Sequence, residues 1–457
     1  MIERLVLLGA TGDLASRLIF PALAALRSNG EMKELRVVGA APDDLDDDSF
    51  RQHVEQQLER HARDMDRAAR RELLRSLTYV QIDLDERGGL DRAIDEDPTC
   101  VYLALPPRLF PKAAGVLSAT RVPRGSRVAV EKPIGDDLAS AVSLNAALER
   151  LDGALGKGTV FRVDHVLGMP TVGNLLGIRL THPLFEPLWS SQHIEQVSVL
   201  WEETIALEGR AGFYDKAGAL KDVGQSHMLQ LLSMIAMEPP ASVNPDELAA
   251  RKIEALRAIK PLNDEHVRAD TRRARYGPGR LANTGGATGD EVSAYADEEG
   301  VQPSRGTETF MEVSLELDNE RWAGTRFVLR GGKALQARRK GVEVLFRASA
   351  GLDPDGGRAL LWIGVDGPTN VALRGANGEI ELPPRPTPVS LAGETFGHPE
   401  LPPYAHVLRD ILSGGSNLAV GGDEAEEAWR ALTPVIDGWS RGLVPLEEYP
   451  AGSAGPS

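Results

Sequence analysis

The chain has 457 residues, 42% of them apolar and 26% charged, which is enough for two or three domains with real cores and excludes a peptide-sized or staple-dependent fold. Lys and Arg number 51 against 67 Asp and Glu, a formal charge of −16, a poor balance for nonspecific binding to nucleic acid or an anionic membrane. One cysteine, Cys100, leaves no intrachain disulfide and no cysteine-based metal cluster.

The elements, taken in chain order, begin with the apolar run Leu5-Val6-Leu7-Leu8, read as a strand. At four residues it is too short for a signal core or a membrane span, and no later stretch does better, so the expected location is the cytoplasm. Residues Leu14 to Leu26 read as the following helix and Leu35-Arg36-Val37-Val38 as a second strand. Phe50, Val54 and Leu58 recur every four residues and give one apolar face to an otherwise charged helix. Tyr79 to Ile82, Cys100 to Leu105 and Arg127 to Val130 are further strands, nearly continuous in apolar residues and so buried on both faces. This alternation predicts an α/β domain over residues 1–160, a Rossmann-type doubly wound parallel sheet.

Beyond it the pattern changes. A long apolar helix over about Ala219 to Met237 precedes strand-like alternation at Thr309 to Leu317, Phe327 to Leu329 and Val342 to Phe346. These predict an α+β domain over residues 161–450, with a large, mainly antiparallel sheet and helices. Asn283 to Gly306 reads as a loop, and the small, polar residues 451–457 as a disordered tail.

Gly9-Ala10-Thr11-Gly12-Asp13-Leu14-Ala15 follows the first strand and opens a helix, the context of a dinucleotide fingerprint. Glycines let the backbone approach a pyrophosphate, and the helix N-terminus offers amide donors. A Gly-rich turn alone fits a tight strand-to-helix connection equally well; its place at the start of the βαβ pattern selects cofactor binding. After the second strand an acid accepts from ribose hydroxyls, whereas an Arg pairs the extra phosphate of NADP. The segment here is Gly39-Ala40-Ala41-Pro42-Asp43-Asp44, with no cation before Arg51, which predicts NAD in preference to NADP.

Several blocks, quoted as they stand, then resemble one family: the Gly9 to Ala15 turn, Tyr102-Leu103-Ala104-Leu105-Pro106-Pro107, Glu131-Lys132-Pro133-Ile134-Gly135, Arg162-Val163-Asp164-His165, Glu208-Gly209-Arg210, and Asp222-Val223 with His227. Thr307-Glu308-Thr309-Phe310, Arg321-Trp322-Ala323-Gly324, Gly332-Lys333-Ala334-Leu335 and Asp423-Glu424 with Trp429 continue the match over nearly the whole chain. Together they resemble glucose-6-phosphate dehydrogenase. The resemblance implies hydride transfer from the anomeric carbon of glucose 6-phosphate, or of a related and unphosphorylated glucopyranose, to NAD(P), giving a lactone. It implies His227 as catalytic base and Asp164 as the carboxylate that orients it. Lys132, His165, Glu203, Asp222, Lys333 and Arg338 are the implied sugar contacts. The implied cofactor contacts are Gly9, Thr11, Gly12, Asp13 and Leu14, then Asp43, then Leu105 and Pro106, and Lys132 again. A homodimer or homotetramer is also implied, and no metal. A His held by a carboxylate suits removal of a hydroxyl proton near neutral pH.

The chain departs from the family where a phosphate is held. After Asp164-His165 the family's Tyr is Val166 and its Lys is Met169; a further family Lys is Leu18, a Gln-Pro-Asx-Glu segment is Gly364-Val365-Asp366-Gly367, and Pro42 stands where an Arg commonly pairs the NADP phosphate. Each lost charge-assisted phosphate bond is worth roughly 1.5–3 kcal/mol, and Arg179, Arg210 or Lys221 are candidate replacements. The pattern points to altered specificity with catalysis retained. The alternatives are a silent nucleotide-binding homologue with a regulatory role, and a Glu-Lys-Pro sugar dehydrogenase that uses Lys132 in proton transfer.

Overall fold

The computed structural model describes residues 1–86, 88–181, 185–207, 209, 211–242, 244–281, 290–348, 358–365, 371–375, 378–382, 390–391, 394–395, 401–416 and 418–457. The chain divides into two compact units. The first holds residues 1–169 and, from far along the sequence, 401–426 among the described residues; the second holds most of the remainder, including 427–457.

In the first unit the strands lie in the order Ala419–Val420, Val160–Val163, Arg127–Glu131, Cys100–Leu103, Arg4–Leu8, Arg36–Ala41, Leu77–Gln81. All neighbours are parallel except the added edge strand Ala419–Val420. Apart from that edge strand the order is the doubly wound one expected, with its reversal point between Arg4–Leu8 and Cys100–Leu103. Leu5 to Leu8 and Cys100 to Leu103 are at most 2% exposed, as strands covered on both faces must be. Asp46 caps the helix Asp47–His61 by accepting from Ser49 N–H at 2.8 Å, and this helix buries Phe50, Val54 and Leu58. Where one α-helix was expected over Leu14 to Leu26, a π-helical turn at Ala15–Ile19 leads into the α-helix Phe20–Ser28.

The second unit is built on a nine-stranded sheet, in the order Gly378–Leu382, Val371–Gly375, Leu360–Gly364, Arg339–Phe346, Ile194–Glu202, Arg326–Gly332, Phe310–Leu315, Thr271–Gly277, Leu446–Pro450. Two adjacencies are parallel, Ile194–Glu202 with Arg326–Gly332 and Thr271–Gly277 with Leu446–Pro450; the rest are antiparallel, as the alternation predicted. The long apolar helix is two elements, a π-helix at Leu220–Met228 and an α-helix at Leu229–Ala236. Of the stretch read as a loop, Glu291–Val292 pairs with Gly279–Arg280, while 283–289 lie outside the described residues.

The tail 451–457 corrects its compositional reading. Ala451 is buried, Gly452 N–H donates to Ala334 O at 2.7 Å, Gln336 N–H donates to Ser453 O at 2.8 Å, and Arg272 reaches Pro456 O. A small, polar sequence predicts disorder because it has little to bury; here backbone hydrogen bonding to a neighbouring turn supplies the anchorage. Among the described residues no helix is long and apolar enough to cross a membrane.

Candidate active site

The nucleotide end lies in the first unit, at the reversal point of its sheet. Gly9 ends the first strand with φ +85°. Its N–H donates to Ala40 O at 2.7 Å and its carbonyl accepts from Gly12 N–H at 3.0 Å. A Cβ at Gly9 would lie 2.3 Å from Ala104 O, so the turn requires glycine for conformation and for space. Thr11 Oγ1 donates to Asp43 Oδ2 at 2.6 Å, tying the turn to the end of the second strand, and Tyr79 Oη donates to Ala41 O and Asp43 O. Arg51, the first cation after that strand, is turned to Asp48 and to Leu77 O, each at 2.8 Å. Leu105 and Pro106 follow the fourth strand and Lys132 the fifth, at the carboxyl edge where ligands bind in open parallel sheets. The glycine turn, the helix start after Gly12 and the acid at Asp43 fit a dinucleotide.

Asp164 and His165 follow the strand Val160–Val163 in the same unit. Asp164 is buried and accepts from Val166 N–H at 3.1 Å. The His165 ring stacks on Tyr404 at 5.1 Å between centroids, and the hydroxyls of Tyr404 and Tyr102 both donate to Glu131. Burial pushes the Glu131 carboxyl up to about 7 against the Tyr102 hydrogen bond, with the Asp164 charge adding to the rise. Val166 and Leu167 are fully or almost fully buried. The position of the family's phenol is therefore core, and the phenol beside His165 comes from residue 404.

Four of the residues expected to contact the sugar, Glu203, Asp222, Lys333 and Arg338, lie in the second unit. A small, partly open cavity is lined by Trp201, Glu203, Tyr214, Ala219, Asp222, Val223, Gly332 and Lys333. Asp222 and His227 stand on the π-helix Leu220–Met228. Residues five apart are hydrogen-bond partners along a π-helix, whereas in an α-helix they point about 140° apart. His227 is 3% exposed, and its ring lies 4.9 Å from that of Trp201, which lines the cavity. Glu203 follows the strand Ile194–Glu202 and is bound on both oxygens, by Lys333 at 2.6 Å and Lys340 at 2.8 Å. Burial raises the Glu203 carboxyl, but the Lys333 and Lys340 ammoniums outweigh it and hold the group down at about 2.

Six sugar contacts were expected. The structure brings Glu203, Asp222 and Lys333 to this cavity; Arg338 is exposed on the turn after Lys333 and does not line it. Lys132 and His165 belong to the first unit. Of the cations offered as replacements, Arg179 is committed to Met234 O, Met237 O and Glu186 in the core. Lys221 lies over the Trp429 ring, and Arg210 falls outside the described residues, as do Glu208, Asp366 and Gly367. Trp201, Tyr214 and Lys340 were not singled out from sequence. The run Arg338-Arg339-Lys340 at a strand start was the available signal for the last, since alternation places Arg339 and Lys340 on opposite faces.

Glu308 holds the start of the π-helix that carries Asp222 and His227. Its carbonyl accepts from Ala219 N–H at 3.2 Å and its carboxyl from Leu220 N–H at 3.0 Å, so it caps the π-helix. Gly218, with φ +69°, passes so close that a Cβ would lie 2.3 Å from that carboxyl. Burial pushes Glu308 up to about 7. Between about pH 4.5 and 7 the folded protein holds a proton that the unfolded chain has released, so this group's stabilisation is full below 4.5 and falls as pH rises through 7. Glu308→Gln is accordingly expected to raise stability at pH 8 by roughly 1–3 kcal/mol and to change it little at pH 5. Thermal unfolding at the two pH values checks this; equal effects at both would refute it.

Comparisons with known proteins agree with this architecture. Residues 6–174 match the family described as glucose-6-phosphate dehydrogenase, NAD binding domain, and residues 176–457 match glucose-6-phosphate dehydrogenase, C-terminal domain. The glucose-6-phosphate 1-dehydrogenase of Rhizobium meliloti (strain 1021) is 34% identical over 482 aligned positions, covering 99% of this chain and 94% of the relative. A crystal structure of glucose-6-phosphate 1-dehydrogenase from Mycobacterium avium superposes with a TM-score of 0.81 at 30% identity, covering 100% of this chain and 96% of that one. A glucose-6-phosphate dehydrogenase in complex with its substrate glucose-6-phosphate gives 0.83 at 27% identity, with the same coverage. With both domain families matched in order across the chain, the protein belongs to the glucose-6-phosphate dehydrogenase family.

Proposed function

We propose that the protein is an NAD(P)-dependent sugar-phosphate dehydrogenase that oxidises glucose 6-phosphate at its anomeric carbon to the lactone, with NAD the preferred acceptor. The observation that carries the reaction is the cavity of the second unit, where Asp222, Glu203 and Lys333 offer acceptors and a cation beside Trp201 and the neighbouring His227. Carboxylates suit sugar hydroxyls because, when ionised, they only accept hydrogen bonds.

A bound nicotinamide supplies the hydride acceptor. His227 takes the proton of the anomeric hydroxyl as the C1–H bond breaks and the C1–O bond gains its second bond. By the resemblance, Asp164 is the carboxylate that orients this base and stabilises its imidazolium, Lys132 contacts sugar hydroxyls beside the nicotinamide, and His165 and Arg338 are the contacts left for the phosphate. The hydride and the proton together account for the two electrons and two hydrogens lost in forming the lactone.

The preference for NAD is read from Asp43. Its carboxylate is an acceptor for ribose hydroxyls and faces an added phosphate with like charge, and Arg51, the first Arg after that strand, is engaged by Asp48 and Leu77 O. Nicotinamide reduction by NAD or NADP, each crossed with glucose 6-phosphate or free glucose, tests both halves. The expected order is NAD with glucose 6-phosphate first. Asp43→Ala is expected to reduce the NAD to NADP ratio of kcat/KM about tenfold, as loss of one charge-assisted hydrogen bond would. A wild-type ratio favouring NADP overturns the cofactor reading, and higher efficiency with free glucose overturns the substrate reading.

A further inference from the structure

Lys340 stands apart from the residues that the resemblance assigns. It is the second residue of the strand Arg339–Phe346, directly opposite Trp201 in the antiparallel register with Ile194–Glu202, so the two side chains share one face of the sheet. Its ammonium lies 4.6 Å from the centre of the Trp201 ring and 2.8 Å from Glu203 Oε1. Lys333 mirrors it, 5.2 Å over the Tyr214 ring and 2.6 Å from Glu203 Oε2. Each Lys side chain is 12% exposed and that of Glu203 18%, so the three charges sit largely out of water.

We propose that Lys340 is a positioning residue for the sugar subsite: with Lys333 it clamps Glu203 into one rotamer as an ionised acceptor, and by seating on Trp201 it fixes the aromatic wall between Glu203 and His227. This rests on the reading of Glu203 as a sugar-hydroxyl acceptor. The carboxylate has about four acceptor positions and each oxygen gives one to an ammonium, which leaves one on each oxygen for a ligand. A single Lys would leave the carboxyl free to rotate about its terminal torsion, a broad and nearly two-fold well. Two ammoniums on opposite oxygens remove that freedom before the ligand arrives, and preorganisation of this kind is worth affinity. Burial would otherwise favour the protonated acid, which offers one acceptor fewer; the paired cations oppose this.

The test is a cycle of Lys340→Met, Glu203→Gln and the double variant, with Lys340→Arg as the conservative control. Steady-state constants are read for glucose 6-phosphate and for NAD. Lys340→Met is expected to raise KM for the sugar phosphate about tenfold, to leave kcat within about threefold and KM for NAD within twofold, and to move the acid limb of kcat/KM to higher pH. Lys340→Arg keeps a cation over the ring and is expected to recover most of the loss. Because Lys340 acts through Glu203, the double variant should resemble Glu203→Gln alone, the non-additivity of residues in contact. If Glu203→Gln raises KM for the sugar phosphate but Lys340→Met does not, the clamp is refuted while the reading of Glu203 stands. If Glu203→Gln leaves that KM unchanged, the reading of Glu203 fails and the clamp with it. If Lys340→Met lowers kcat and raises both KM values together along with a loss of thermal stability, Lys340 is a packing residue only.

Discussion

Replacing His227 by Ala is expected to lower kcat with glucose 6-phosphate by a factor on the order of 100 to 10,000, the usual contribution of a positioned general base. The imidazole is almost fully buried against Trp201 on a segment whose π-helical repeat also carries Asp222. Water entering a truncated side chain is a far weaker base, so KM for NAD should hold while kcat falls and the acid limb of the pH profile flattens. Turnover within twofold of wild type would remove His227 from proton transfer. Lys132→Met supplies the contrast: a loss mainly in sugar KM keeps Lys132 as a binding group, whereas a kcat loss matching that of His227→Ala would favour the Glu-Lys-Pro alternative.

Gly9→Val is expected to raise the Kd for NAD at least about 100-fold and to destabilise the first unit by roughly 3 kcal/mol or more. Gly9 sits at φ +85°, where a β-branched residue is strained by about 1–3 kcal/mol. Its Cβ would in addition meet Ala104 O at 2.3 Å, a backbone atom that cannot rotate away. Ala104 N–H is bonded to Leu8 O at 2.9 Å, so relief requires parting the first and fourth strands at the reversal point of the sheet. Isothermal titration with NAD and thermal unfolding read the two effects. Unchanged NAD affinity would mean that the turn at Gly9 is only a strand-to-helix connection.

The parallel sheet was legible because strands buried on both faces spell themselves out as apolar runs; Leu5 to Leu8 and the Cys100 segment are where they were expected. The helix with Phe50, Val54 and Leu58 was legible for the same reason, one period and one buried face. The segment carrying Asp222 and His227 was read as a helix of ordinary pitch, since local apolar content does not distinguish an i→i+5 from an i→i+4 ladder. That choice is left to packing; here Glu308 accepts from the first N–H of the π-helix, and the chain bends at Gly218 just before it. Long-range pairings were out of reach from one sequence. Tyr404 joins Glu131 and His165, and Lys340 joins Glu203, through separations that no local pattern encodes.

The anchored tail bears on Lys333 in its own way. Ala334, next to Lys333, holds φ +51° without being glycine, a conformation that persists only when its surroundings over-determine it. Those surroundings are the end of the chain: Tyr449 Oη donates to Lys333 O at 2.6 Å, Gly452 N–H to Ala334 O at 2.7 Å, and Gln336 N–H to Ser453 O at 2.8 Å. Residues 449–453 thus lock the loop that carries Lys333. Changes at Tyr449, Gly452 or Ser453, more than a hundred residues away along the sequence, would therefore be felt at Lys333 through this latch.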